Sequence, residues 1–267
     1  MQPSIYVRLT AEFNAGRLRA IISSGQPVVL HRLAIMSKDG DWILREDEEA
    51  TRHVLTALET HSARYRYGAP LETRWLKGGW SSHLEFADQG LRVRTDFVSR
   101  PPRLSPERLE RLWKRAESSD PPIVPLADLA DLKKTNREKD YAIIGELARR
   151  MDDPLETLLY SRSARDLLAT AEAHPGLLGE AAGIRPLLTQ LAGGRDALEV
   201  ALDAERRQLM RANEERLRSY LRAATGWRAR WSELEPGLRG VPLRQVHERL
   251  VAAAEGCLPE VPDGIPS

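Results

Sequence analysis

Three carboxylates carry the chemistry that can be read from this chain. Asp39 and Asp41 stand two residues apart in Ser37-Lys38-Asp39-Gly40-Asp41-Trp42-Ile43-Leu44, immediately before an apolar run. Side chains on a β-strand alternate between faces, so two acids at this spacing on a strand project together. Asp96 lies in Leu91-Arg92-Val93-Arg94-Thr95-Asp96-Phe97-Val98, where apolar and polar residues alternate. It shares the polar side with Arg92 and Arg94. Carboxylates on neighbouring strands are the oxygen donors that Mg²⁺ prefers, and Mg²⁺ keeps positions for water and substrate phosphates. Two such ions can clamp a nucleoside triphosphate and activate an attacking hydroxyl for in-line displacement. Lys38-Asp39-Gly40 also fits a hairpin turn with Gly at a positive φ. On that reading the two acids hold nothing.

The remaining composition narrows the choices. The 267 residues contain one cysteine, Cys257, which excludes an intrachain disulfide, speaks against a cysteine-based zinc site and fits a reducing, cytoplasmic compartment. The formal charge is +1 with 30% charged residues, so no global field draws the chain to nucleic acid or membrane. A local RNA surface would need Arg92, Arg94, Arg100 and Arg103, with Trp75 and Trp80 as stacking platforms. No run reaches the ~18 apolar residues of a membrane-spanning helix, and Met1–Ile5 lacks the basic and apolar regions of a signal peptide. His53 and His61 have no ligand spacing. Ser81-Ser82-His83 is either a set of polar site residues or the polar start of a strand over 84–86.

The pattern predicts the elements that must position these groups. A helix is expected over 9–23, stopped by Ser24-Gly25, then a strand over 28–36, the turn at 37–41 and a strand over 42–45. A helix follows Asp47, its acidic first turn complementing the helix dipole. Strands are expected over 71–76, 84–86 and 91–98, and Pro101-Pro102 ends the sheet. Ser105-Pro106 opens a helix to about Ala116, with Ser as cap and Pro at the first position. Helices then dominate: 128–151 with a break near Thr135-Asn136, 154–173, 184–191, 195–224 and 242–255, separated by Gly and Pro. The expected fold class is α+β, a small mixed or antiparallel β-sheet flanked by helices, followed by an all-α C-terminal region. The expected division is an α+β domain over 1–150, a helical domain over 151–258 and a flexible tail over 259–267.

Ser37-Lys38-Asp39-Gly40-Asp41 resembles the T-K-D-I-D segment of small nucleotidyltransferase-fold proteins. Asp128-Leu129-Ala130-Asp131-Leu132-Lys133, followed by Arg137-Glu138-Lys139-Asp140, resembles their DLxxLK…RxKD helical segment, as in AbiEii-type toxins and related minimal nucleotidyltransferases. The resemblance covers about residues 20–150, order included. It implies a nucleotidyltransferase-like fold, a toxin–antitoxin-like setting and Mg²⁺-dependent transfer from an NTP to RNA, a protein hydroxyl or a small molecule. Carried over, Asp39, Asp41 and Asp96 hold metal and catalyse, while Lys133 and Asp140 lie near or support the triphosphate. Lys38 and Arg32 add positive charge there, and Ser81 and Ser82 line an alternative cradle.

The family's first signature is a Gly-Gly or Gly-Ser turn opening a helix some ten residues before the paired acids, where backbone N–H groups cradle phosphate. Residues 29–34 contain no such turn. Ser24-Gly25 is the nearest counterpart, and Gly78-Gly79-Trp80-Ser81-Ser82 has the composition but follows the acids. Gly40 also stands where the family has an apolar residue. These departures set a second expectation beside the enzyme: a catalytically degenerate module of the same fold that binds a partner.

Overall fold

The computed structural model describes residues 4–262. In chain order the elements are α1 (Ile5–Phe13), β1 (Ala20–Ser23), α2 (Gly25–Leu30), β2 (Asp39–Leu44), α3 (Glu48–Thr60), β3 (Arg64–Tyr65), α4 (Thr73–Lys77), β4 (Ser82–Asp88), β5 (Leu91–Val98) and α5 (Pro106–Ala116). There follow α6 (Leu126–Leu132), α7 (Glu138–Ala148), α8 (Pro154–Tyr160), α9 (Ala164–Ala173), α10 (Leu178–Ile184), α11 (Gly194–Ala223), α12 (Thr225–Leu234) and α13 (Leu243–Ala254). The chain is α+β. It forms two compact units, Met1–Val124 with Leu217–Ser267, and Pro125–Arg216, so the divisions fall elsewhere than the expected 150/151.

The first unit is built on a five-stranded sheet of order β1-β2-β5-β4-β3. β2 and β5 run parallel and the other pairs antiparallel. A parallel pair needs a crossover connection, and α3 to β4 supply it. Register fixes the two faces. Trp42 opposite Phe97, Ile22 opposite Trp42 and Phe86 opposite Val93 belong to one face. These residues are buried with Leu9 and Phe13 of α1, Val54 and Leu58 of α3, and Trp227, Trp231 and Leu250 of α12 and α13. Trp42 stacks on Phe97 at 5.5 Å and meets the Phe13 edge at 5.2 Å, and its indole N–H donates to Thr10. The opposite face carries Asp39, Asp41, Asp96, Arg94, His83 and Glu85.

The second unit is helical, and Leu158, Leu167, Leu188 and Leu198 form its core. A few of its charged residues are enclosed. Glu205 accepts from Arg185 at 2.9 Å and pairs with Arg162, while Arg185 also donates to the carbonyls of Leu158 and Ser161. The two arginines hold the Glu205 carboxyl below its ordinary range, although burial pushes it upward.

Several expected elements differ, each for a local reason. The helix expected over 9–23 ends at Phe13, because the Asn14 side chain accepts from the backbone N–H groups of Arg19 and Ala20 and donates to the Ala20 carbonyl. That closes a tight return into β1. The strand expected over 28–36 is α2 and an irregular loop. Pro27 sits in the first turn of α2, where a missing N–H costs nothing. The strand expected over 71–76 gives way to α4. The helix over 154–173 splits where Ser163 caps α9, and residues 186–193 form 3-10 turns. The hairpin β4–β5 and helix α5 stand as the pattern predicts. In the tail, Trp75 and Trp80 donate their indole N–H groups to the carbonyls of Leu258 and Pro259. Residues 263–267 lie outside the described residues. Both tryptophans are buried, which removes the stacking platforms an RNA surface would need. Among the described residues no helix is long and apolar enough to cross a membrane.

Candidate active site

Asp39 and Asp41 stand on β2 itself, not in a hairpin turn. Gly40 between them faces the core, and the reason for glycine is close approach: a Cβ there would lie 2.4 Å from the Trp42 ring and 2.5 Å from the Tyr6 ring. The hairpin reading of Lys38-Asp39-Gly40 is therefore corrected. β5 runs beside β2 with Asp96 opposite Asp41 and Arg94 opposite Asp39. Residues in register on neighbouring strands project to the same side, so the three acids occupy one contiguous stretch of the polar face.

A turn brings the start of α2 to this stretch. Ser23 pairs with Asp41, and the next residue, Ser24, adopts φ 57° and ψ −112°. That region is uncommon for a residue with a Cβ. Gly25 then opens α2, and a Cβ on it would lie 2.3 Å from Ser37 Oγ. The buried Gln26 side chain donates to the carbonyls of Asp39 at 3.0 Å and Ser37 at 3.3 Å, which ties the first turn of α2 to the acid-bearing strand. A Ser-Gly turn opening a helix ahead of the paired acids is thus present. The sequence offers Ser24-Gly25 as the nearest counterpart, and what it does not show is that a helix, not a strand, follows. Gly78 and Gly79 serve packing instead. Gly78 abuts the Glu260 carbonyl, where a Cβ would collide with backbone, and Tyr220 OH donates to the Gly78 carbonyl.

Each acid on the face has a basic or aromatic neighbour. Arg94 Nη1 lies 3.4 Å from Asp39 Oδ1. Arg66 Nη1 donates to Asp96 Oδ1 at 3.1 Å. His83 Nδ1 lies 2.7 Å from the same oxygen, close enough for a charge contact but off the line of a hydrogen bond. His83 Nε2 hydrogen-bonds Ser81 Oγ at 2.9 Å. Further along the face, Glu85 is buried and clamped by Arg64 and Arg92. Burial pushes its carboxyl upward, but the two guanidiniums outweigh it and hold the carboxyl below the usual range. Tyr6 OH donates to the Lys38 carbonyl at 2.8 Å. Burial raises its pKa, and the charges of Asp39 and Asp41 raise it further.

The donor types suit a hard divalent ion at Asp39 and Asp41, two carboxylates on one strand face. Asp96 is engaged differently, by Arg66 and His83. Among the described residues no three His, Cys, Asp or Glu groups converge as a metal set. Of the other expected site residues, Lys38 and Arg32 are exposed in the loop before β2, Arg32 with φ 58°. Ser82 is fully buried on the core face opposite Phe97, so its expected place at the site is corrected. Lys133 and Asp140 belong to the second unit. There they form a buried pair at 3.8 Å, with Thr135 and Arg137 also donating to Asp140. Tyr6 and Arg66 went unnoticed in the sequence. The acid spacing gives no hint of either, since only register and α1 packing bring them close.

No known family profile matches the sequence, and no curated protein matches it. One solved structure, described as that of a "putative nucleotidyltransferase from H. pylori", is similar to it at 10% identity. The match covers 79% of this chain and 94% of that chain, with a TM-score of 0.38. A likeness that distant carries no weight for fold or function.

Proposed function

We propose that the chain is a Mg²⁺-dependent nucleotidyltransferase of divergent sequence, moving a nucleotide from an NTP to a hydroxyl acceptor on RNA, protein or a small molecule. One observation carries the reading: Asp39 and Asp41 share a strand face, Asp96 stands in register beside Asp41, and the Ser24-Gly25 turn opens α2 at the same strand end. In this arrangement Asp39 and Asp41 would hold the metal, which when bound neutralises charge on the transferring phosphate. Arg94, Lys38 and Arg32 would meet the phosphates, guanidinium groups being suited to paired phosphate oxygens. Asp96, with His83, faces the acceptor side, where a hydroxyl must lose its proton. Lys133 and Asp140, enclosed as a pair within the second unit, have no place in this reading.

The test is labelling with each of the four α-labelled NTPs in Mg²⁺, comparing the native chain with Asp39→Ala/Asp41→Ala. Loss of such electrostatic groups lowers transfer by on the order of 10²–10³-fold. Equal labelling by the double variant would remove the assignment. A second reading, a degenerate module that only binds a partner, is favoured by the arginine engagement of Asp39 and Asp96, which balances these charges without a metal ion. Calorimetry separates the two, because saturable, Mg²⁺-dependent heat with one NTP contradicts the module reading.

A further inference from the structure

Ser81, His83 and Asp96 form a connected line on the polar face. Ser81 and His83 flank Ser82, so strand alternation sends both to one side while Ser82 faces the core. His83 is the cross-strand partner of Asp96. The connections run Ser81 Oγ to His83 Nε2 at 2.9 Å and His83 Nδ1 to Asp96 Oδ1 at 2.7 Å. No hydrogen bond joins His83 Nδ1 to Asp96, but the negative charge beside Nδ1 favours a proton on that nitrogen, which leaves the Nε2 lone pair to accept a hydroxyl proton. The hydroxyl now at that lone pair is the chain's own. Both Ser81 and His83 are partly open to solvent, and Arg66 stands at the same Asp96 oxygen, a cation placed to meet an anionic electrophile.

We propose that Ser81 is an acceptor for the chain's own transfer chemistry, so that the protein attaches a nucleotidyl group to this serine. The inference rests on the nucleotidyltransferase reading and names one acceptor for it. Ser81 Oγ forms a bond to the α-phosphorus of a nucleoside triphosphate. The bond from that phosphorus to the bridging oxygen breaks, pyrophosphate leaves with the electron pair, and the Ser81 proton passes to His83 Nε2 and on to water. The product is a phosphodiester-linked nucleoside monophosphate on Ser81.

Two measurements on the full chain test it. In the first, the protein is incubated with Mg²⁺ and each NTP, digested, and its peptides weighed. The mass of one nucleoside monophosphate is expected on Ser81, absent in Ser81→Ala, retained in Ser81→Thr, and formed on the order of 10²-fold more slowly in His83→Gln, the size of a general-base contribution. The second uses diisopropyl fluorophosphate, a phosphorus electrophile that needs neither metal nor nucleotide. An adduct on Ser81 that His83→Gln suppresses is expected, and no adduct there overturns the proposal. Transfer to an added acceptor with Ser81 unmodified overturns the self-acceptor alone and leaves the enzyme reading intact. An adduct on Ser81 with no NTP heat and no pyrophosphate from any NTP overturns both.

Discussion

Asp39 and Asp140 are each a carboxylate beside a cationic side chain, yet they sit in opposite settings. Asp39, on the sheet face, is 39% exposed and its partner Arg94 35%, at 3.4 Å. Asp140, in the second unit, is 2% exposed and Lys133 7%, with Thr135 and Arg137 completing its hydrogen bonds. Half-exposed pairs contribute little to folding, because water screens them and compensates for their loss. Enclosed pairs are different, since removing one partner leaves the other charged and dry. Asp140 is therefore a fold-determining acid, whereas Asp39 contributes little to folding. A residue type alone cannot separate the two roles; the surrounding solvent does.

The largest effect expected from this contrast is in the second unit. Asp140→Ala removes the buried carboxylate that Lys133, Thr135 and Arg137 share and should cost about 3–5 kcal/mol, read by urea unfolding followed with far-UV circular dichroism. All six tryptophans lie in the first unit, so fluorescence reports that unit separately. A cost below ~1 kcal/mol would show that burial does not distinguish the two regions.

Gly40→Ala comes next. A methyl group would press on the Trp42 and Tyr6 rings, and overpacking of this kind costs ~1–3 kcal/mol. The loss should appear in the tryptophan-detected transition. An unchanged transition would mean that Tyr6 swings away freely and that close packing is not why glycine stands between the acids.

Gly40 also shows how much of the molecule the sequence discloses. The alternation in Leu91–Val98, the cap at Ser105-Pro106 and the two-residue spacing of Asp39 and Asp41 follow from local periodicity, and they place the polar face. Gly40 invited a turn because its reason lies in two rings, one from α1, that no local window contains. The Val28-Val29-Leu30 run suggests a strand, yet tertiary placement makes it helix, so the sequence offers Ser24-Gly25 as the nearest counterpart of the turn without showing that a helix opens there. Lys133 and Asp140 were legible as a motif. Their enclosure was not, because burial is set by tertiary packing that no local window contains.

Glu85 tests the contrast within the sheet face, because it is the one acid there that is buried. Its carboxyl titrates below the unfolded range, so folding stabilises the charged form. The stability it contributes is present above the unfolded value of about 4.3 and is lost as pH falls through the lower folded value. Acid unfolding should accordingly be shallower for Glu85→Gln than for the native chain between neutral pH and pH ~3, with the variant less stable at neutral pH. Parallel profiles would place Glu85 with the solvent-screened acids.

The smallest stability effect, and the most informative one, is expected at Asp39 and Asp41. Replacing both by Asn keeps shape and removes only charge from a half-exposed face, so unfolding should shift by no more than about 0.5 kcal/mol. Two like charges on one strand face repel, which offsets part of any loss. Mg²⁺-dependent heat with NTP should vanish in the same variant, because neutral amides are poor ligands for a hard cation. Stability retained and binding lost is the signature of residues kept for chemistry. If unfolding instead shifts by several kcal/mol, Asp39 and Asp41 behave as Asp140 does, and the face is held by its arginines for folding alone.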